Sequence, residues 1–175
     1  MCCRPSSSGY GRISDHQQTD MDISQVTDYL YVGAQPSAQD VEQLHAMNVR
    51  LIISMAGTIR PPKALTQPPL RLLWLRTYDT IFTPIPIGKL MEGVQAALPV
   101  IRGGGGVLTY CREGRHRSIA MGAAILIAMG HSADEAMRLL SARRKKADPQ
   151  AWHIRRQIKR FEKKWQSRPA NEVKA

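Results

Sequence analysis

The run of apolar and polar positions divides the chain into short strands and longer helices. Residues 23–33, with Val26, Tyr29, Leu30, Tyr31 and Val32, predict one or two short strands ending at Gly33. Ser37 stands before Ala38, Val41, Leu44 and Met47, apolar positions at helical spacing behind a good cap. Residues 49–55 predict a strand rich in β-branched residues, and the four prolines of 57–69 make the next stretch a loop. Strand character returns over 71–78. Leu90, Met91, Val94, Ala97, Leu98 and Ile101 then mark an amphipathic helix over 87–102. Four glycines, 103–106, stop that helix and read as a flexible connector.

The next segment changes period twice. Val107 to Tyr110 suits a strand, 111–118 is a polar loop, and the apolar stretch 119–130 is too long for a strand and predicts a buried helix. Ser132 with Glu135 three residues on forms a capping box for a helix reaching about residue 145. A last helix over 149–166 places Ile154, Ile158, Phe161 and Trp165 on one stripe, with Arg155, Arg156, Lys159, Arg160, Lys163 and Lys164 elsewhere. Strands alternating with helices imply an α/β fold, one central sheet flanked by helices.

At 175 residues the chain is long enough for one domain with a proper core. Residues 1–22 are polar and predict a disordered arm, 23–166 the domain, and 167–175 a flexible tail. No apolar run is long enough to cross a bilayer, and no secretory leader is expected, since no apolar core follows a basic start. Three cysteines, two of them the adjacent pair Cys2 and Cys3, give no disulfide framework, so a reducing, cytoplasmic setting is expected. A monomer is also expected. The Cys2–Cys3 doublet is also a candidate fatty-acyl site.

The net charge of +11 is uneven: 11 Lys and Arg against two acids over 143–168 give +9, leaving +2 for the rest. The basic face of the last helix is a candidate contact for an anionic lipid surface or nucleic acid. No aromatic residues interleave with its cations to stack bases, so a solvated face is the plainer expectation. The five histidines lack a ligand spacing, and neither metal nor cofactor is expected.

The candidate chemistry lies in the loop Cys111-Arg112-Glu113-Gly114-Arg115-His116-Arg117-Ser118. Backbone amides at a helix start, added to the positive end of the helix dipole, cradle a phosphate-like anion. The Arg117 guanidinium can hold two phosphate oxygens at once. In such a field a thiol loses its proton well below its free pKa of about 8.5 and becomes a nucleophile. Displacing an alkoxide or phenoxide also requires a proton donor, worth about 10²–10⁴ in rate. Asp79 is the sole carboxylate between Glu42 and Glu92, in a loop just after a predicted strand. It is the candidate acid, with a turn or cap role as the alternative.

Cys111-x5-Arg117 followed by Ser118, with Gly114 in the loop, resembles the phosphate loop of protein tyrosine phosphatases, closest to the small dual-specificity branch. The resemblance covers about residues 23–166. It implies a mostly parallel, mixed sheet of four to five strands and a metal-independent phosphatase working through a cysteinyl-phosphate. Substrates would be a phosphorylated protein or another phosphomonoester. By the same resemblance Cys111 is the nucleophile and Arg117 holds the transition state. Asp79 is acid and then base, Ser118 assists the cysteine's departure, and residues 112–117 bind phosphate. The family usually has His before the nucleophile; Tyr110 stands there and carries no positive charge at neutral pH. A weakened enzyme or a phosphate-binding pseudophosphatase is the alternative this departure raises. Arg112, Arg115 and His116 suggest substrates with extra negative charge, such as phosphoinositides, other phospholipid headgroups, polyphosphorylated nucleotides or RNA ends, with solvated side chains on the outer rim as the plainer expectation. Glu113 is expected to point outward and pair with Arg112 or Arg115.

Overall fold

A computed structural model of the chain describes residues 21–78 and 82–168. Five strands form one sheet: β1 (Ile23–Gln25), β2 (Leu30–Gly33), β3 (Val49–Ala56), β4 (Arg71–Thr77) and β5 (Gly106–Tyr110). Their order across the sheet is β1-β2-β5-β3-β4. β1 runs antiparallel to β2, and every other pair is parallel. The α/β class expected from the sequence, and the mixed, mostly parallel sheet implied by the resemblance, are therefore what forms. β5 lies in the centre between β2 and β3, so the loop that follows it opens at the middle of the sheet's C-terminal edge.

Helices cover both faces. The short α1 (Val41–Ala46) and a 3-10 turn at Lys63–Thr66 place Leu44 and Leu65 in a smaller core with Ile52, Leu108 and Tyr110. On the other face lie α2 (Ile87–Arg102), α3 (Arg117–Ala128), α4 (Ala133–Arg143) and α5 (Trp152–Gln166), over the larger core. α3 sits among the other three helices and buries every residue from Ile119 to Ile127. A helix apolar on all sides has to be central. Its large aliphatic side chains each contribute about 1.5–3 kcal/mol on burial. Among the described residues no helix is long and apolar enough to cross a membrane.

Several element ends differ from the expectation. The helix behind Ser37 opens as a 3-10 turn, Ala38–Asp40, with Asp40 completing a capping box. The Ser132–Glu135 box forms as expected, and α4 ends at Arg143. The last helix begins at Trp152, three residues later than Pro149, because the Asp148 carboxylate and carbonyl hold the Ala151 amide in a turn. The glycine run is ordered rather than a loose connector. Gly105 donates to the Val100 carbonyl and Gly106 to that of Asn48, while the Asn48 amide nitrogen donates to Gly104, and Gly106 opens β5. The expected arm 1–22 and tail 167–175 lie outside the described residues except for Met21, Asp22, Ser167 and Arg168. Asp22 is anchored, with both carboxylate oxygens bound by Arg144.

Candidate active site

β5 and α3 position the loop between them. The Cys111 amide donates to the Gly33 carbonyl at 3.4 Å, tying the strand end to β2. Thr109 Oγ1 donates to the Ser118 carbonyl at 3.0 Å, tying β5 to the first turn of α3. The three carbonyls at the back of the loop all have donors. Arg144 Nη2 donates to Glu113 at 3.2 Å, Arg144 Nε to Gly114 at 2.7 Å, and the Asp148 amide to Arg115 at 3.1 Å. A trans peptide points its N–H opposite to its C=O. Turning these three carbonyls backward therefore turns the amides of Gly114, Arg115 and His116 forward, toward the sulfur. The Arg115 amide does hydrogen-bond Cys111.

Gly114 adopts φ +66°, and a Cβ there would collide with Arg144 and the Gly33 backbone. Only glycine meets both conditions.

Cys111 is 3% exposed. Burial pushes its thiol pKa up, but the Ser118 hydroxyl, the amides of Ser118 and Arg115, and the Arg117 cation together outweigh burial and hold it below the usual thiol value. Its sulfur lies 3.4 Å from Ser118 Oγ. Arg117 is buried, and its Nη1 donates to the carbonyls of Met55 at 2.8 Å and Thr77 at 2.6 Å, at the ends of β3 and β4. Those bonds fix the guanidinium at the sheet edge, where it borders both a cleft beside α5 and a smaller one beside Gly57.

The structure thus brings Cys111, Arg117, Ser118 and the loop amides together. Arg112 and Glu113 are exposed on the outside. Asp79 lies outside the described residues. The expected pairing of Glu113 with Arg112 or Arg115 does not form: Arg115 lies 3.6 Å from the Asp148 carboxylate instead, because the Arg115 carbonyl already holds Asp148 beside it. His116 Nε2 lies 3.9 Å from the same carboxylate, and its ring meets His153 edge-on at 5.2 Å.

Tyr110 points into the opposite core, away from Cys111, as successive strand residues must. Burial raises its phenol pKa, and the nearby Ser54 hydroxyl opposes this, but the two do not align into a good hydrogen bond.

Arg144 is the residue sequence reasoning missed. It is 3% exposed, and besides the two loop carbonyls it binds both Asp22 carboxylate oxygens, at 3.0 and 3.2 Å. The signal was there: Ala133, Met137, Leu140 and Arg144 recur at spacings of three and four, the buried row of α4 and its first residue beyond.

No family model and no curated protein matches the chain. Solved structures do. Human DUSP28 is 25% identical over 83% of this chain and 96% of its own, with a TM-score of 0.74. PTPMT1 is 26% identical over 85% and 99%, with a TM-score of 0.72, and its complex with PI(5)P also matches. The human tyrosine phosphatase-like serine/threonine/tyrosine-interacting protein is 22% identical over 83% and 98%, with a TM-score of 0.71. The chain has the small dual-specificity phosphatase fold of the protein tyrosine phosphatase superfamily.

Proposed function

We propose that this chain is a metal-independent cysteine phosphatase that hydrolyses phosphomonoesters, phosphotyrosine foremost and phosphoserine or phosphothreonine as well. The observation that carries the reading is a buried thiol held toward its anionic form by Ser118, two amides and Arg117. A thiol that only filled the core would have its pKa raised.

In the proposed reaction the Cys111 sulfur attacks phosphorus and the P–O bond to the leaving group breaks. Asp79, placed by its sequence position after β4, gives its proton to the departing oxygen. The forward amides and the Arg117 cation hold the equatorial oxygens, where charge spreads in the transition state. Asp79 then takes a proton from water as that water attacks phosphorus, and the S–P bond breaks. The Ser118 hydroxyl, 3.4 Å from the sulfur, stabilises the thiolate that leaves. Tyr110 takes no part, since it faces the other core.

The test is phosphate release from 4-nitrophenyl phosphate with a chelator present. Wild type should turn over and Cys111→Ser should not, whereas Asp79→Asn should slow the reaction by about 10²–10⁴. Equal inertness of wild type and Cys111→Ser, with both still binding phosphopeptide, would make the chain a phosphate-binding pseudophosphatase instead.

A further inference from the structure

Arg144 holds the loop, and a residue outside the loop holds Arg144. A guanidinium carries its N–H donors in a rigid planar fork, so fixing one side of the fork aims the other. The inner side meets the loop: Nε donates to the Gly114 carbonyl at 2.7 Å and Nη2 to that of Glu113 at 3.2 Å. The outer side meets the residue just before β1. Asp22 accepts from Nη1 on Oδ1 at 3.0 Å and from Nη2 on Oδ2 at 3.2 Å, and its main-chain oxygen accepts from Nη1 at 3.3 Å. Among the described residues Asp22 is the one carboxylate that meets Arg144. The Arg144 side chain is enclosed, and a buried cation deprived of its carboxylate turns toward water or other acceptors.

A second path joins the same residue to the other end of the loop. The Asp22 carbonyl accepts from the Ala34 amide at 2.9 Å, extending the β1–β2 ladder past its Ile23–Gly33 pair. The Gly33 carbonyl in turn accepts from the Cys111 amide. Gly114 is packed between Arg144 and the Gly33 backbone, so the two paths meet there. Lys146 also reaches Asp22, at 2.9 Å, but it is exposed and bonds nothing in the loop.

We propose that Asp22 is a positioning residue of the phosphate loop, acting through Arg144. It rests on the phosphatase reading for the reaction that the loop serves. By fixing the outer side of the fork, Asp22 keeps the Glu113 and Gly114 carbonyls turned back and the amides of Gly114 and Arg115 turned toward the sulfur. The catalytic unit then begins before the domain expected over 23–166, since its boundary leaves this residue out. Positioning and direct charge have opposite signs at Cys111. A carboxylate acting through space disfavours a thiolate, so its removal would make the thiol more acidic. A carboxylate acting through Arg144 supports the Arg115 amide that stabilises the thiolate, so its removal makes the thiol less acidic.

Alkylation of Cys111 by iodoacetamide across pH, followed on the Cys111 peptide by mass spectrometry, reads the thiolate without any phosphatase activity. Thermal melts set the temperature well below the Tm of each variant. In Asp22→Asn the alkylation midpoint should move to higher pH than in wild type. Turnover of 4-nitrophenyl phosphate should fall about 10²-fold in kcat, with a smaller change in KM. Asp22→Glu, which keeps the charge, should recover most of kcat, and Lys146→Ala should leave both readings where they are. In an Arg144→Lys background, adding Asp22→Asn should cost no further kcat, because the route through the fork is already gone. A midpoint that stays or moves to lower pH, a glutamate variant as slow as the asparagine one, or losses that multiply in the double variant overturn the positioning role. A chain inert on the aryl phosphate whose midpoint still moves up loses the phosphatase and keeps the positioning. An active chain indifferent to Asp22→Asn loses only the positioning.

Discussion

Replacing Arg144 by alanine removes the group that turns the loop's carbonyls backward. The Glu113 and Gly114 oxygens lose their donors, and Asp22 loses a two-oxygen partner. Truncating one member of a buried ion pair costs about 3–5 kcal/mol. Here the Asp22 side chain is 41% exposed and keeps Lys146 at 2.9 Å, so its charge is readily rehydrated. That discount brings the expected loss to about 2–4 kcal/mol. At roughly 2–4 °C per kcal/mol for a domain of this size, Tm should fall by about 5–15 °C.

Turnover should fall further than stability alone would dictate, because a loop displaced by about 1 Å can lose about 10² in rate. Thermal unfolding followed by circular dichroism, paired with kcat/KM on an aryl phosphate well below Tm, reads both effects. Arg144→Lys should recover part of the stability but little of the rate, since one ammonium cannot reach two carbonyls and a carboxylate in a fixed fork. An Arg144→Ala protein that melts within about 2 °C of wild type and keeps its rate would refute the clamp.

Four further outcomes follow from the same contacts. Burial pushes the Asp22 carboxyl up, but Arg144 and Lys146 outweigh it and hold it below its usual value. Its stabilisation is therefore present above about pH 4 and lost as pH falls through the lower folded value, so Asp22→Asn and wild type should converge in Tm in acid. Ser118→Ala removes one of the bonds that lower the Cys111 pKa, so the acid limb of the kcat/KM profile should move to higher pH; an unmoved limb would show that the hydroxyl does not support the thiolate. Gly114→Ala should abolish turnover and lower Tm, because φ +66° and the closeness of Arg144 and Gly33 leave no room for a methyl group. Tyr110→Phe should shift stability by no more than about 1 kcal/mol in either direction, since the buried hydroxyl has no well-aligned partner. A much larger loss on chemical denaturation would show that the Ser54 contact is a real bond.

What could be read from the sequence was what short-range periodicity encodes. The strand, loop and apolar helix around Cys111 were legible because the period changes abruptly at residues 111 and 119, and α3 has the uniformly apolar surface its central place demands. The order of strands was not legible from the residues themselves, since the pairing of β5 between β2 and β3 joins segments far apart in sequence; resemblance alone implied a mixed sheet. Arg144 was hidden for a different reason. It stands in the run Arg143-Arg144-Lys145-Lys146, where charge suggests solvent, and only the helical row through Leu140 separates it from its neighbours. The partner of Arg115 was missed because Asp148 lies 33 positions away and is brought close by the turn before α5.

The account depends on sulfur rather than oxygen carrying the phosphoryl group. Rapid acid quench of the wild-type protein mixed with excess aryl phosphate, followed by peptide mass spectrometry, measures that directly. The account predicts the mass of one PO₃ group on the peptide containing Cys111, accumulating more in Ser118→Ala and absent from Cys111→Ser. Steady phosphate release with Cys111 unmodified at every quench time, and undiminished in Cys111→Ser, would contradict it.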